Sequence, residues 1–203
     1  MHLGLDLDNT IIHYDALFYS LAHARGYVEE DLPQTKRAVR RAVRDVPGGR
    51  PKWIELQGRA YGLDMGQAEL APGVEAFLKA CQARPDVKVS IVSHRTEYPV
   101  SGGTTSLHEA ARAFLRAKGL LGEGAPLREA DVNFRVSRQL KIARAVELGC
   151  THFVDDLIEV LTDPTFPAEL KGIHYSPESE AELPPSVERV ATWAELQAKL
   201  LGS

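Results

Sequence analysis

The chain has little cysteine and no long apolar run. Its two cysteines, Cys81 and Cys150, are far apart and form no Cys-x-x-Cys pair, which argues against a disulfide framework or a thiolate zinc site and favours a reducing compartment. No segment approaches the roughly 18 apolar residues that a membrane-spanning helix needs, and the N-terminus lacks the cationic start of a signal peptide. We therefore expect a cytoplasmic protein with no membrane partner.

An excess of positive charge is also absent. Lys and Arg number 24 against 28 Asp and Glu, and the net charge of −4 gives no overall electrostatic reason to expect a nucleic-acid partner. The 44% hydrophobic and 26% charged contents are ordinary for globular proteins. The composition therefore indicates a folded enzyme or binding domain.

Strands alternate with helices over most of the chain. The predicted strands are 3–5, 87–92, 132–134, 152–155, 173–175 and 187–190, and the predicted helices between them are 74–83, 106–118, 138–148, 158–161 and 192–200. Such alternation is typical of a parallel sheet with helices on both faces, so we expect a doubly wound α/β fold. The segment 177–185, rich in Pro and Glu, is predicted to be a surface loop.

A stretch without strands interrupts this alternation between residues 14 and 71. Three helices are predicted there, at about 15–26, 32–46 and 53–61, with Pro33 in the first turn of the second helix and Pro47-Gly48-Gly49 after its end. We interpret residues 14–71 as an inserted all-helical cap. The catalytic core then comprises residues 1–13 and 72–203.

Polar residues stand where several predicted strands end, and ligands of open α/β sheets bind outside these carboxyl ends. The candidate residues are Asp6-Leu7-Asp8-Asn9-Thr10 after the first strand, Ser93-His94-Arg95-Thr96 after the second, Lys141 in the first turn of a helix, and Asp155-Asp156 after a later strand. We expect this edge of the sheet to carry the chemistry.

The two acids of the first segment can divide one reaction between them. Asp6, ionised at neutral pH, can attack phosphorus without a base, because a carboxylate is already a nucleophile. Asp8 can protonate the leaving oxygen and then accept a proton from water. These roles predict a covalent aspartyl-phosphate intermediate.

A carboxylate that approaches a phosphate dianion is repelled, so the reaction needs positive charge. Asp155 with Asp6 would supply hard oxygen ligands for Mg²⁺, and Asp156 is the alternative acid at that strand end. Lys141 would add a fixed cation, and the Ser93 hydroxyl would donate to a phosphoryl oxygen. Three other cations near Lys141 could serve instead of it: Arg135, Arg138 and Arg144.

Further contacts to substrate are predicted around these acids. Arg95 can hold a second anionic group with two parallel hydrogen bonds, and His94 precedes it at the end of the second strand. Thr10 ends the motif that follows the first strand. Structural hydrogen bonding is an equal alternative for His94 and Arg95. The predicted substrate-binding set is Thr10, Ser93, His94, Arg95 and Lys141.

Taken in order, the motifs Asp6-Leu7-Asp8-Asn9-Thr10, Ser93, Lys141 and Asp155-Asp156 resemble those of the haloacid dehalogenase (HAD) superfamily over nearly the whole chain. Because Asp8 fills the second acidic position, the resemblance is to the phosphatase branch. It implies a HAD-like Rossmannoid core with a small C1-type cap. It also implies that Mg²⁺ binds the Asp6 carboxylate, the Asp8 carbonyl and the acid of the fourth motif, which is Asp155 here.

The sequence thus predicts a Mg²⁺-dependent phosphomonoester hydrolase that acts on a small phosphorylated metabolite. Two alternatives remain. A phosphoryl transferase would pass the same intermediate to another alcohol, and a non-catalytic regulatory protein would keep the fold and the Mg²⁺ site. Neither the identity of the substrate nor the oligomeric state follows from the residues.

The predicted cap also contains a run of basic residues. They are Lys36, Arg37, Arg40, Arg41, Arg44, Arg50, Lys52 and Arg59. Such a run is usually a solvated helix face. The alternative is electrostatic steering of a substrate with a second phosphate or a carboxylate.

Overall fold

Six parallel strands form the main sheet in a computed structural model that describes residues 1–177 and 182–202. The strands of the protein are β1 His2–Leu5, β2 Ile12–His13, β3 Glu69–Leu70, β4 Lys88–His94, β5 Val132–Arg135, β6 His152–Asp155, β7 Lys171–Tyr175 and β8 Val187–Val190. The order in the main sheet is β5-β4-β1-β6-β7-β8, and β2 pairs separately with β3. Each predicted strand is present.

The central strand β1 is buried because it lies between two others. Leu5 pairs with Ile91 of β4 on one side and with Val154 of β6 on the other. Leu3, Gly4 and Leu5 are all buried, and because successive residues of a strand point to opposite faces, both faces of β1 are covered. At Gly4 an added Cβ would lie 2.5 Å from the Phe153 ring, so only glycine allows this close packing.

Eight α-helices accompany the strands among the described residues. They are α1 Asp15–His23, α2 Lys36–Asp45, α3 Gly49–Gly58, α4 Val74–Gln82, α5 Leu107–Ala117, α6 Arg138–Glu147, α7 Ile158–Leu161 and α8 Trp193–Leu201. The predicted α/β fold, a parallel sheet with an inserted helical region, is confirmed.

Two predicted helix starts are wrong. Helix α2 begins at Lys36 rather than near residue 32, because the Thr35 side chain accepts a hydrogen bond from Ala38 N and so caps the helix there. Pro33 therefore precedes the helix. Helix α3 begins at Gly49 rather than near residue 53, because Gly48, at φ 71°, takes the left-handed conformation that reverses the chain.

The residues fall into two compact units. The first comprises residues 1–12, 70–95 and 118–203 and contains the six-stranded sheet with α4, α6, α7 and α8. The second comprises residues 13–69 and 96–117 and contains α1, α2, α3 and α5. It thus includes α5, which the sequence division placed with the core. The division into a catalytic core and a cap of residues 14–71 stays a prediction.

Aromatic packing forms the interior of the second unit. The Phe18 ring stacks on the Trp53 ring, with 4.8 Å between centroids, and meets the Tyr61 ring edge-on at 5.7 Å. Phe18 of α1 and Trp53 of α3 are both buried, so their stack supplies apolar contact between two short helices that would be marginally stable alone.

Within the described residues, no helix combines the length and the apolar character that crossing a bilayer would require. The predicted surface loop at 177–185 includes residues 178–181, which lie outside the described residues.

Candidate active site

Asp6 lies at the carboxyl end of the central strand. It follows β1 directly, and its backbone N–H donates to the Val154 carbonyl at 2.9 Å, which continues the β1–β6 ladder by one residue. The side chain is 7% exposed. The sheet therefore fixes the backbone of the predicted nucleophile on the edge where α/β proteins bind ligands.

Lys141 reaches this edge from helix α6. The Ser137 side chain caps the helix by accepting from Leu140 N at 3.2 Å, and Lys141 is the next residue, whose own N–H donates to the Ser137 carbonyl at 3.0 Å. Its buried Nζ donates to Asp6 Oδ1 and to Asp155 Oδ2, at 2.6 Å each. The structure thus brings Lys141, the predicted nucleophile and a predicted metal ligand together.

The alternative cations make other contacts. Arg138 lies 3.6 Å from Asp163, and Arg144 pairs with Glu147 at 3.1 Å. Arg135 donates to the Phe134 carbonyl at 2.7 Å. Of the four cations considered from the sequence, Lys141 is the one whose ammonium contacts Asp6.

Burial and charge oppose each other in this cluster. Burial raises the pKa of Asp6 to about 6 although Lys141 acts to lower it, and the neighbouring carboxylates of Asp155 and Asp8 add to the rise. Burial lowers the pKa of Lys141, but Asp6 and Asp155 together raise it by more, so the net direction is upward. Lys141 therefore stays a cation at neutral pH.

Two adjacent acids end strand β6. Asp155 is fully buried, and its Oδ1 accepts from Leu157 N at 3.0 Å. Asp156 is partly buried, and its Oδ2 accepts from Asn9 Nδ2 at 3.2 Å. Carboxylate oxygens of Asp6, Asp155 and Asp156 lie within 4.8 Å of one another.

This group of carboxylates suits a small divalent cation. Three carboxylates with one ammonium between two of them carry more negative than positive charge in a mostly buried place, which is unfavourable without a further cation. All the ligand atoms are hard oxygens of the kind that Mg²⁺ takes. The cluster could therefore hold the metal ion that the sequence predicts. The part of the Asp8 carbonyl in that site stays a prediction.

The Asp8 side chain forms a separate ion pair with Arg95. Asp8 Oδ1 accepts from Arg95 Nη2, and the Arg95 side chain is 2% exposed against 22% for Asp8. The structure thus pairs the predicted substrate-binding residue Arg95 with the predicted acid Asp8. The expectation that Arg95 binds a second anionic group of the substrate stays a prediction.

The other predicted binding residues lie at the same strand ends. Ser93 is buried near the end of β4, whereas His94 is exposed, with Nε2 3.0 Å from the Val136 carbonyl. Thr10 is fully buried, its carbonyl accepts from Trp193 Nε1 at 3.2 Å, and its hydroxyl has no hydrogen-bond partner among the described residues. Their roles toward a substrate stay predictions.

Two residues that contact Asp156 were given no role from the sequence. Asn9 is in the left-handed region at φ 61°, where asparagine is tolerated better than most residues, and its side chain reaches Asp156. His174 lies beside Asp155 in the β6–β7 register, with Nε2 3.0 Å from the Asp156 carbonyl. Asn9 could have been suspected from its place between Asp8 and Thr10. His174 offered no such local signal.

Solved structures of similar fold cover almost the whole chain. A haloacid dehalogenase-like family hydrolase from Xanthomonas campestris is 15% identical, with a TM-score of 0.57 over 99% of this chain and 94% of its own. A HAD-superfamily hydrolase of subfamily IA, variant 1, from Geobacter sulfurreducens is 15% identical, with a TM-score of 0.59 over 98% of this chain and 95% of its own.

A third similar structure contains ligands. It is a HAD family hydrolase from Deinococcus radiodurans with bound phosphate and sodium, 18% identical, with a TM-score of 0.58 over 98% of this chain and 94% of its own. No protein-family model and no curated protein matches the sequence. At these identities the likeness concerns the fold. The chain therefore has the fold of the haloacid dehalogenase-like hydrolases, as its motifs predicted.

Proposed function

We propose that the protein is a Mg²⁺-dependent phosphomonoester hydrolase that acts on a small phosphorylated metabolite through an aspartyl-phosphate. The observation that carries the proposal is the position of Lys141, whose buried ammonium joins Asp6 at the end of β1 to Asp155 at the end of β6. A buried network of this kind is costly to form, and such charge clusters are concentrated at functional sites.

The first step of the proposed reaction uses Asp6 and Asp8. A carboxylate oxygen of Asp6 forms a bond to phosphorus while the bond between phosphorus and the leaving oxygen breaks. The proton of Asp8 passes to that oxygen, which leaves as an alcohol. Lys141 keeps the Asp6 carboxylate oriented throughout, because its ammonium is held between two acids.

The second step returns the enzyme to its starting state. A water molecule attacks phosphorus and gives a proton to Asp8, and the bond between phosphorus and Asp6 breaks. Inorganic phosphate leaves, and Asp6 is again a carboxylate. Ser93 would donate to a phosphoryl oxygen in both steps.

Asp6, Asp155 and Asp156 would hold Mg²⁺ with the Asp8 carbonyl. When bound, the ion would neutralise the repulsion between the attacking carboxylate and the phosphate dianion. Phosphate bound by the Deinococcus radiodurans protein supports a phosphorylated substrate for this fold.

The proposal is tested with a panel of phosphomonoesters and Mg²⁺ at high enzyme concentration. We expect phosphate release by the wild type and near-complete loss of turnover in Asp6→Asn and Asp8→Asn, since each removes a group that makes or breaks a bond. The matched control is Asp86→Asn, which changes an exposed aspartate of the same unit and should leave the rates unaltered.

The covalent intermediate has its own readout. Acid quenching during turnover of a ³²P-labelled substrate should trap label on the wild-type protein and none on Asp6→Asn. Wild-type turnover by Asp6→Asn would overturn the mechanism. Absence of phosphate release across the panel would favour the non-catalytic alternative, and new phosphoester formed with an added alcohol would indicate a transferase.

A further inference from the structure

The ion pair between Arg95 and Asp8 has no role in the reaction described above. Arg95 follows β4, and its backbone N–H donates to the Arg135 carbonyl at 2.9 Å, so the backbone is held by the neighbouring strand β5. Its guanidinium is buried and donates to Asp8 Oδ1. Because β4 is also the neighbour of β1, the two strand ends that carry this pair are adjacent.

The burial of Arg95 distinguishes this pair from the surface ion pairs of the protein. A guanidinium stays charged under all ordinary conditions, and its removal from water is unfavourable unless an anion compensates for the lost hydration. Exposed pairs have no such requirement. The Asp8 side chain, at 22% exposure, is the more accessible member of the pair. The buried guanidinium therefore restricts the orientation of the partly exposed carboxylate.

The contact restricts the orientation of the Asp8 carboxylate. Arginine has five N–H donors and no acceptor, so its guanidinium pairs with the ionised carboxylate. The guanidinium donates to Oδ1, and because the Arg95 backbone is held by β5, this hydrogen bond limits rotation of the Asp8 side chain.

We infer that Arg95 is a positioning residue, which orients Asp8 for proton transfer to the leaving group. This inference rests on the proposed function, because it assigns Arg95 a task only if Asp8 is the general acid. It differs from the expectation that Arg95 binds a second anionic group of the substrate. If Arg95 positions Asp8, its loss should matter more for a poor leaving group; if Arg95 binds substrate, the effect should depend on the second anionic group instead.

The test compares phosphomonoesters that differ in how much they need an acid. Nitrophenolate leaves without a proton, whereas an alkoxide must be protonated as it leaves. Proton transfer from a positioned acid contributes a factor of about 10²–10⁴ to the rate. For Arg95→Met we expect kcat/KM to fall about 10- to 100-fold with an alkyl phosphate and less than about 3-fold with p-nitrophenyl phosphate. We compare kcat/KM because it depends only on the steps up to and including departure of the leaving group, and not on hydrolysis of the aspartyl-phosphate.

A double-mutant cycle asks whether Arg95 acts through Asp8. In the Asp8→Asn background, Arg95→Met should cause no further loss of kcat/KM with the alkyl phosphate, because the group that it orients is absent. Arg95→Lys should recover part of the rate, since an ammonium can still pair with the carboxylate. Arg128→Met, which removes an exposed arginine paired with Asp131, is the matched control and should leave kcat/KM unchanged with both substrates.

Three outcomes would overturn the inference while leaving the proposed function in place. The first is an equal loss of kcat/KM with both substrates in Arg95→Met. The second is a further loss of kcat/KM when Arg95→Met is added to Asp8→Asn. The third is a rise in KM confined to substrates with a second anionic group. If Arg95→Met does not fold, as judged by circular dichroism, the same comparison is made with Arg95→Lys. A wild type that releases no phosphate from either substrate contradicts the proposed function itself.

Discussion

Two groups of charged residues lie in opposite surroundings in this protein. In the first unit, Lys141 is almost fully buried, with its ammonium between the carboxylates of Asp6 and Asp155. In the second unit, helix α2 carries four exposed arginines, and no ion pair among residues 1–177 and 182–202 includes them. They are Arg37, Arg40, Arg41 and Arg44, at the i, i+3, i+4, i+7 spacing of one helix face.

The difference teaches that charge density in a sequence is a poor guide to a site. The basic run of α2 is conspicuous along the chain, yet its arginines lie in solvent, as the solvated-face interpretation predicts. Lys141 has arginines on either side of it in sequence and is still the residue that meets Asp6. What distinguishes it is burial against anions, because a buried charge cannot be left uncompensated.

The largest expected effect comes from breaking the buried network. Lys141→Met leaves two carboxylates near each other without their shared cation, so we expect a loss of about 3–5 kcal/mol in the free energy of unfolding. Lys79→Met is the control, because it breaks an exposed pair with Glu75 and should cost less than about 0.5 kcal/mol. Urea denaturation measures both, and equal losses would contradict the contrast between buried and exposed charge.

Addition of Mg²⁺ should stabilise the folded protein, because the ion would supply further positive charge to the same carboxylate cluster. If the carboxylate cluster binds the ion in the folded state alone, a concentration of about 100 times Kd stabilises the protein by about 2.7 kcal/mol. Thermal unfolding with and without Mg²⁺ measures this. Asp155→Asn should lose most of the shift, whereas Asp86→Asn should keep it. An unchanged midpoint in the wild type would argue against a metal site.

The helix that carries Lys141 depends on its N-terminal cap. The Ser137 side chain accepts from Leu140 N at 3.2 Å, and Ser137→Ala should cost about 1 kcal/mol because that N–H loses its partner. Thr35→Ala removes the corresponding cap from α2 and should cost a similar amount. If kcat falls in Ser137→Ala but not in Thr35→Ala, the cap of α6 helps to position Lys141. If kcat falls in neither variant, the rest of the fold positions Lys141 without the cap.

The smallest effect is expected on the exposed face. Arg41→Gln and Arg44→Gln remove charges that make no ion pair among the described residues, so each should change the free energy of unfolding by less than about 0.5 kcal/mol. The double variant should keep kcat/KM for a singly phosphorylated substrate. A salt-dependent loss of kcat/KM would instead support the steering alternative that the basic run leaves open.

Local patterns were enough to predict most of the fold. The strand 152–155 and the helix 158–161 were placed correctly, because an apolar run before a polar strand end and the helical spacing after it are both short-range signals. The starts of α2 and α3 were wrong, since the Thr35 side chain and the left-handed Gly48, rather than the prolines, decide where these helices begin. Helix ends depend on single caps that periodicity does not show.

By itself, the sequence determined the alternation that makes a parallel sheet and the order in which the acidic and basic motifs appear. These are properties of neighbouring residues, and hydrophobic spacing and turn chemistry express them locally. Only the tertiary structure decided that Lys141 lies between Asp6 and Asp155, that Arg95 meets Asp8, and that His174 supports Asp156. Such contacts join residues far apart in the chain, and they form because burial of a charged or polar group requires a partner that strand order brings near.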